Sequence, residues 1–160
     1  MIHPNFKEYL PSYYFSTINP HAAYPKLEGR LKTETCVIGG GLTGLCTALP
    51  LAENGREVTV LEAARIGFGA SGRSGGQVIS DYACGMEEIE KQVGLEQARW
   101  FWQQSLQAVE LVDERVKKHQ IACDWQRGYA TVAIRPQHWE ELQQWHEHAR
   151  QHYGATHYQL

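Results

Sequence analysis

Over residues 1–33 the apolar positions follow no sustained period, and Pro, Tyr and small polar residues dominate. This stretch is expected to be an extended lead-in lying on the domain surface. From Thr35 the pattern changes. Thr35-Cys36-Val37-Ile38 is a short apolar run with β-branched residues that leads straight into Gly39-Gly40-Gly41, which predicts a strand and then a tight turn. From Leu42 to Glu53 the residues Leu42, Leu45, Ala48 and Ala52 share one helical face, and Asn54-Gly55 supplies a stop. Val58-Thr59-Val60-Leu61 predicts a second buried strand, ending at Glu62. Strand, glycine-rich turn, helix and strand make a βαβ unit, in which the strands run parallel and the crossover is right-handed.

Residues 67–77 hold five glycines and show neither period, so they are expected to form a loop. Residues 86 to about 120 read as helix, interrupted at Gly94. After the interruption Leu95, Ala98, Trp102, Leu106, Val109, Val112 and Val116 recur at steps of three and four along one face. Tyr129-Ala130-Thr131-Val132-Ala133-Ile134 favours a strand, stopped by Arg135-Pro136, and a polar helix is expected over 138–153. The last residues, from Thr156, read as the beginning of a further strand. The organisation expected is a lead-in over 1–33, a dinucleotide-binding βαβ unit with its glycine-rich loop over 34–85, and helices and a first strand leading toward a second domain over 86–160.

Composition narrows the function. A net charge of −3 with 42% hydrophobic residues is globular, and the Lys and Arg residues are scattered, so nothing electrostatic calls for nucleic acid. Residues 1–11 lack the apolar core of a signal peptide and no stretch approaches the ~18 apolar residues of a membrane span, so the expected location is the cytoplasm. Cys36, Cys46, Cys84 and Cys123 form no CxxC pair and read as free buried thiols. His148 and His152 have the i, i+4 spacing of a metal pair but stand outside any HExxH-like frame, so a solvated helix face is expected and no metal. Trp100, Phe101 and Trp102 read as core and rim. Asp113, Glu114, Arg115, Lys117 and Lys118 read as a solvent face.

The chemistry lies in Gly39-Gly40-Gly41-Leu42-Thr43-Gly44, a G-x-G-x-x-G set between a strand and a helix. Gly39 permits the turn, Gly41 lets backbone approach a pyrophosphate, and Gly44 lets helix and strand pack closely. The helix N-terminus then offers free N–H groups and partial positive charge to the phosphates. Glu62, 23 residues beyond Gly39, can accept hydrogen bonds from ribose hydroxyls, and its charge disfavours the 2′-phosphate of NADP relative to FAD or NAD. In the 67–77 loop, Ser71, Arg73 and Gln77 can donate to phosphate or ring oxygens. Spacing alone leaves this loop equally a flexible surface segment.

Ser12-Tyr13-Tyr14, the run Val37-Ile38-Gly39-Gly40-Gly41-Leu42-Thr43-Gly44-Leu45, Leu61-Glu62-Ala63 and the block from Arg65 through Gly69-Ala70-Ser71-Gly72-Arg73-Ser74-Gly75-Gly76-Gln77 resemble the gamma-glutamylputrescine oxidase group of the D-amino acid oxidase-like (DAO) flavoenzymes, relatives of glycine and sarcosine oxidases. Ile121-Ala122-Cys123-Asp124 and Gly128 also fit. The resemblance implies an α/β fold with a Rossmann-like FAD-binding unit, FAD as cofactor, an amine as substrate in putrescine catabolism, and hydride transfer from the carbon bearing the nitrogen to the flavin. It implies that Gly39, Gly41, Leu42, Thr43 and Gly44 hold the pyrophosphate. Glu62, with Ala63 and Arg65 beside it, would serve the adenosine ribose. Gly69, Ala70, Ser71, Arg73, Gly76 and Gln77 would lie toward the isoalloxazine.

Proteins of that type are more than twice as long, so the chain is expected to be their N-terminal portion, with an incomplete doubly wound sheet and no amine oxidation of its own. Ser74 stands where the family usually has Asn. Pro50 falls inside the first predicted helix, where it removes an N–H bond to the Cys46 carbonyl and predicts a kink. Two other readings fit the residues. One is a fragment of an NAD-dependent dehydrogenase, against which the 67–77 loop speaks. The other is a non-catalytic truncated product or interaction module, prone to self-association.

Overall fold

The computed structural model describes residues 12–18 and 24–159. Residues 1–11 and 19–23 of the lead-in, and Leu160, lie outside the described residues. The chain divides into two units, the first ending at Gln77 and the second starting at Val78.

In the first unit, part of the expected extended lead-in is a short helix, α1 (Tyr13–Thr17). Ser12 has extended backbone and its Oγ accepts the Phe15 N–H at 3.1 Å, the side-chain capping that starts a helix. Hydrophobic periodicity cannot signal five residues, but the cap can. β1 (Thr35–Ile38) then pairs in parallel with β2 (Val58–Leu61), in the register Thr35 to Val58 through Ile38 to Leu61. α2 (Leu42–Glu53) connects them. All three elements fall at the bounds expected from periodicity.

Val37 points toward Gly44 of α2, and the two-residue period of the strand turns Cys36 and Ile38 to the opposite face. That face is open: Ile38 is 87% exposed. Pro50 lies within an unbroken α2. Its carbonyl accepts both the Asn54 backbone N–H at 3.0 Å and Asn54 Nδ2 at 2.8 Å, so the helix ends one turn beyond the proline. Gly55 follows at φ +77°, a conformation that favours glycine.

The second unit consists of α3 (Met86–Lys118) and α4 (Pro136–Tyr153). α3 is broken at Gly94, whose φ of 79° and ψ of 162° are not helical. Met86, Ala98, Trp102, Ala149, Tyr153 and Ala155 form the core, with Trp102 stacked on Tyr153 at 5.5 Å between ring centroids. As expected, Trp102 is core and Phe101 and Trp100 are rim. A polar clasp joins the helices. Glu90 Oε2 accepts from Tyr153 Oη at 2.5 Å and pairs with His148 Nε2 at 2.8 Å, while Arg99 Nε donates to the His152 carbonyl at 2.6 Å. These donors hold the Glu90 carboxyl below its ordinary value, Tyr153 contributing most. Burial, aided by the neighbouring carboxylate, raises the Tyr153 phenol. His148 thus sits in an interhelical contact, not on a wholly solvated face.

Five expectations change here. Asp113 is not on a solvent face: it is 2% exposed and bonded by Lys117 and Arg127, Arg127 also gripping Glu110 at 3.0 and 2.5 Å. Of its two cations Lys117 is one helical turn away, while Arg127 lies beyond reach of a local reading. Residues 129–134 form no strand. Their residues suit a pleated surface, but among the described residues no neighbouring strand offers the ladder bonds that make one. The described residues from Thr156 form no strand either. Pro136, expected only to stop a strand, begins α4, where the missing N–H costs nothing. The four cysteines are exposed, not buried, and none is in a disulfide. No helix among the described residues is long and apolar enough to cross a membrane.

Candidate dinucleotide-binding site

The 39–44 turn emerges from β1 with a ladder bond still attached: the Gly39 N–H donates to the Leu61 carbonyl at 2.7 Å. Gly39 then takes φ +105°, the positive value that frees the chain to reverse toward α2. Gly44 meets the returning strand. A Cβ placed on it would fall inside the van der Waals envelope of the Gly39 carbonyl oxygen, so only glycine permits this approach.

Gly41 caps α2 in an extended conformation and offers no side chain to the helix terminus. Ser71 does so instead, its Oγ accepting the Leu42 N–H at 2.8 Å from the short 3₁₀ turn at Ala70–Arg73. The first N–H of the helix bonded to a backbone carbonyl is that of Leu45, which donates to the Gly41 carbonyl at 3.0 Å. The N–H groups of Thr43 and Gly44 therefore stand open at a helix N-terminus, where an anion is favoured by both hydrogen bonding and the helix dipole.

Glu62 ties the end of β2 to this turn. Its Oε2 accepts the Gly40 N–H at 2.7 Å and its Oε1 accepts the Ala64 N–H at 2.9 Å. Each carboxylate oxygen has two acceptor positions, so each retains one for a hydroxyl donor such as ribose. Gly40 is the part of the motif that spacing analysis passed over. It is buried, a Cβ on it would press to 2.6 Å from Ile66 Cδ1, and its carbonyl accepts the Gly67 N–H at 2.9 Å. Its being glycine at a position where the motif allows any residue was the available signal.

The 67–77 loop is thus stitched to the turn at two points, Gly67 and Ser71. Within it the Gly72 N–H donates to the Gly67 carbonyl at 2.9 Å, and Arg73 Nε donates to the Gly69 carbonyl at 3.1 Å. Ser74 Oγ accepts the Gly76 N–H at 3.3 Å. Of the candidate residues, Gly39, Gly41, Leu42, Gly44, Glu62 and Ser71 are brought together directly and Thr43 adjoins them. Arg65 enters through its carbonyl, which accepts the Phe68 N–H at 3.0 Å. Ala63, Gly69, Ala70, Arg73, Gly76 and Gln77 are exposed along the two segments that follow β2. The arrangement can hold two phosphates on bare backbone and a ribose on a carboxylate, which suits a dinucleotide.

The family "DAO: FAD dependent oxidoreductase" matches residues 34–160. A probable oxidoreductase OrdL of Haemophilus influenzae is 42% identical over 160 residues, covering 100% of this chain and 37% of that protein. The gamma-glutamylputrescine oxidoreductase of Escherichia coli is 44% identical over 127 residues, covering 79% of this chain and 30% of its own length. A second probable oxidoreductase OrdL, from Rhizobium meliloti, is 35% identical over 121 residues. No solved structure matches. The chain spans about a third of the length of these curated relatives. With the match extending over most of its residues and the glycine turn in place, the chain belongs to the DAO family of FAD-dependent oxidoreductases.

Proposed function

We propose that this chain is the FAD-binding part of an enzyme that oxidises a C–N bond of an amine related to gamma-glutamylputrescine. The observation that carries the reading is the 39–44 turn, where Gly44 closes helix against strand, Thr43 and Gly44 present open N–H groups, and Glu62 stands at the end of the neighbouring strand. In this reading Gly39, Gly41, Leu42, Thr43 and Gly44 hold the pyrophosphate, and Glu62, Ala63 and Arg65 the adenosine ribose. Gly69, Ala70, Ser71, Arg73, Gly76 and Gln77 border the isoalloxazine. When bound, FAD supplies the two-electron acceptor, and the residues of this chain bind and orient it.

The amine comes from the Escherichia coli relative, whose name states its substrate. β1 and β2 would be two strands of a larger doubly wound sheet, and the open Ile38 face supports that view. Residues 86–160 would lead toward a substrate domain. The 160 residues alone are then expected to bind FAD without oxidising amines.

Titration of the purified chain with FAD, followed by flavin fluorescence with NAD as competitor, tests the reading. Saturable binding that NAD does not displace is expected. Displacement by NAD at comparable concentration would instead favour a nicotinamide-dependent dehydrogenase. Peroxide release from the chain with amine substrates would contradict the assignment of activity to a longer protein.

A further inference from the structure

α1 (Tyr13–Thr17) has five residues, too few to persist as a helix on its own hydrogen bonds, so packing must hold it. Its hydroxyls are spent within it. Ser12 Oγ accepts the Phe15 N–H, Ser16 Oγ donates to the Tyr13 carbonyl at 2.7 Å, and Thr17 Oγ1 donates to the Tyr14 carbonyl at 3.2 Å. What remains for contact with the rest of the unit is aromatic. Tyr13 is 74% exposed, whereas Tyr14 and Phe15 are 40% and 39% exposed, so these are the two rings that protein covers more. The element against which α1 packs is the 3₁₀ turn at Ala70–Arg73, within the first unit.

A four-residue 3₁₀ turn has poor hydrogen-bond geometry and little stability of its own. Two bonds tie it to the loop that carries it, from the Gly72 N–H to the Gly67 carbonyl and from Arg73 Nε to the Gly69 carbonyl. Neither of them fixes its distance from α2. The turn reaches α2 through Ser71 Oγ, which accepts the Leu42 N–H. Gly41 leaves room for that reach, since a Cβ there would lie 3.0 Å from Ser71 Oγ. The Ser71 hydroxyl therefore stands between the first turn of α2 and a segment on which α1 packs.

We propose that α1 is a brace, with Tyr14 and Phe15 as its positioning residues, that holds the Ala70–Arg73 turn so that Ser71 Oγ stays at the N-terminus of α2. The brace acts before any ligand arrives. With the Leu42 N–H engaged, the open N–H groups of Thr43 and Gly44 keep one orientation, and donors that are already ordered lower the cost of binding. Ser12 contributes by capping α1. Ser12-Tyr13-Tyr14, distant in sequence from the glycine turn, thereby gains a role at it. The consequence for FAD rests on the dinucleotide reading, whereas the brace belongs to the ligand-free chain.

The test uses the flavin-free 160-residue chain, with amide exchange read by NMR. Leu42 reports the bond to Ser71, while Leu45 and Gly39, bonded to the Gly41 and Leu61 carbonyls, report the helix and the strand pair. In the double variant Tyr14→Ala and Phe15→Ala, exchange at Leu42 is expected to rise on the order of tenfold, as for loss of a side-chain cap, with Leu45 and Gly39 unchanged. Ser12→Ala, which keeps both rings, should raise it less. Tyr14→Phe should leave it at the wild-type rate. Wild-type exchange at Leu42 in the double variant, or an equal rise at Leu45 and Gly39, would overturn the proposal. FAD titration is read separately, and weaker binding by the double variant is expected. A brace effect at Leu42 without FAD binding by the wild type would remove the dinucleotide reading alone, and FAD binding without that effect would remove the brace alone.

Discussion

Around the 39–44 turn the close approaches include several between backbone atoms, at Gly39 against Gly44 and Gly40 against Gly67, with Glu62 and Ser71 adding side-chain bonds to backbone N–H groups. Between α3 and α4 they are between side chains, with Glu90 taking hydrogen bonds from His148 and Tyr153. The difference lies in what each region leaves available. A turn built from bare backbone keeps N–H groups free for a ligand, and it tolerates no added atom. A helix pair held by side chains spends its polar groups on itself. It tolerates replacement, but its stability follows the ionisation of those groups.

The largest expected effect is at Gly44. Gly44→Ala drives a methyl into the Gly39 carbonyl and separates helix from strand, at a cost of about 3 kcal/mol or more. A large fall in the unfolding midpoint and loss of FAD binding are expected. A wild-type midpoint would show that the turn relaxes and that the backbone contrast is unfounded. Pro50→Ala should act in the opposite direction, raising the midpoint by up to ~3 kcal/mol as a helical N–H is restored. An unchanged or lowered midpoint would mean that α2 accommodates the ring at no cost.

In the second unit Tyr153→Phe removes one donor to the Glu90 carboxylate and leaves the ring stacked on Trp102. A loss of about 1 to 2 kcal/mol is expected in thermal unfolding, with FAD binding unchanged. A fall in FAD affinity would join what the comparison holds apart. The smallest effect is the pH dependence. Glu90 is held below its ordinary value of 4.5 when folded, chiefly by Tyr153, so its contribution is full above that value and lost as the pH falls through the lower folded value. Unfolding midpoints measured from pH 6 down to pH 3 should decline, and less steeply in Tyr153→Phe. Equal slopes would remove Glu90 as the cause.

The two regions also differ in how much of them could be read in the sequence. β1, α2 and β2 each announce themselves locally, by β-branched runs, one apolar helical face and glycines at fixed offsets. Their bounds were legible, and so was the glycine turn between β1 and α2. The latch from Glu62 to Gly40 and the cap from Ser71 to Leu42 were not, because they join positions 22 and 29 residues apart through side-chain rotamers. Asp113 was misread because one of its two cationic partners, Arg127, lies 14 residues away. Residues 129–134 carry strand composition, but a strand needs a neighbour, and composition cannot supply one. Local physics was readable, while tertiary pairing was not.

The most direct test of the central claim compares FAD titrations of the wild-type chain and of Glu62→Gln, each with NAD as competitor. The account predicts saturable FAD binding by the wild type that NAD does not displace, and weaker binding by the variant, in which an amide offers one acceptor oxygen in place of the two that serve Gly40 and Ala64. Absence of FAD binding by folded wild-type chain, or equal affinity in the variant, would contradict it.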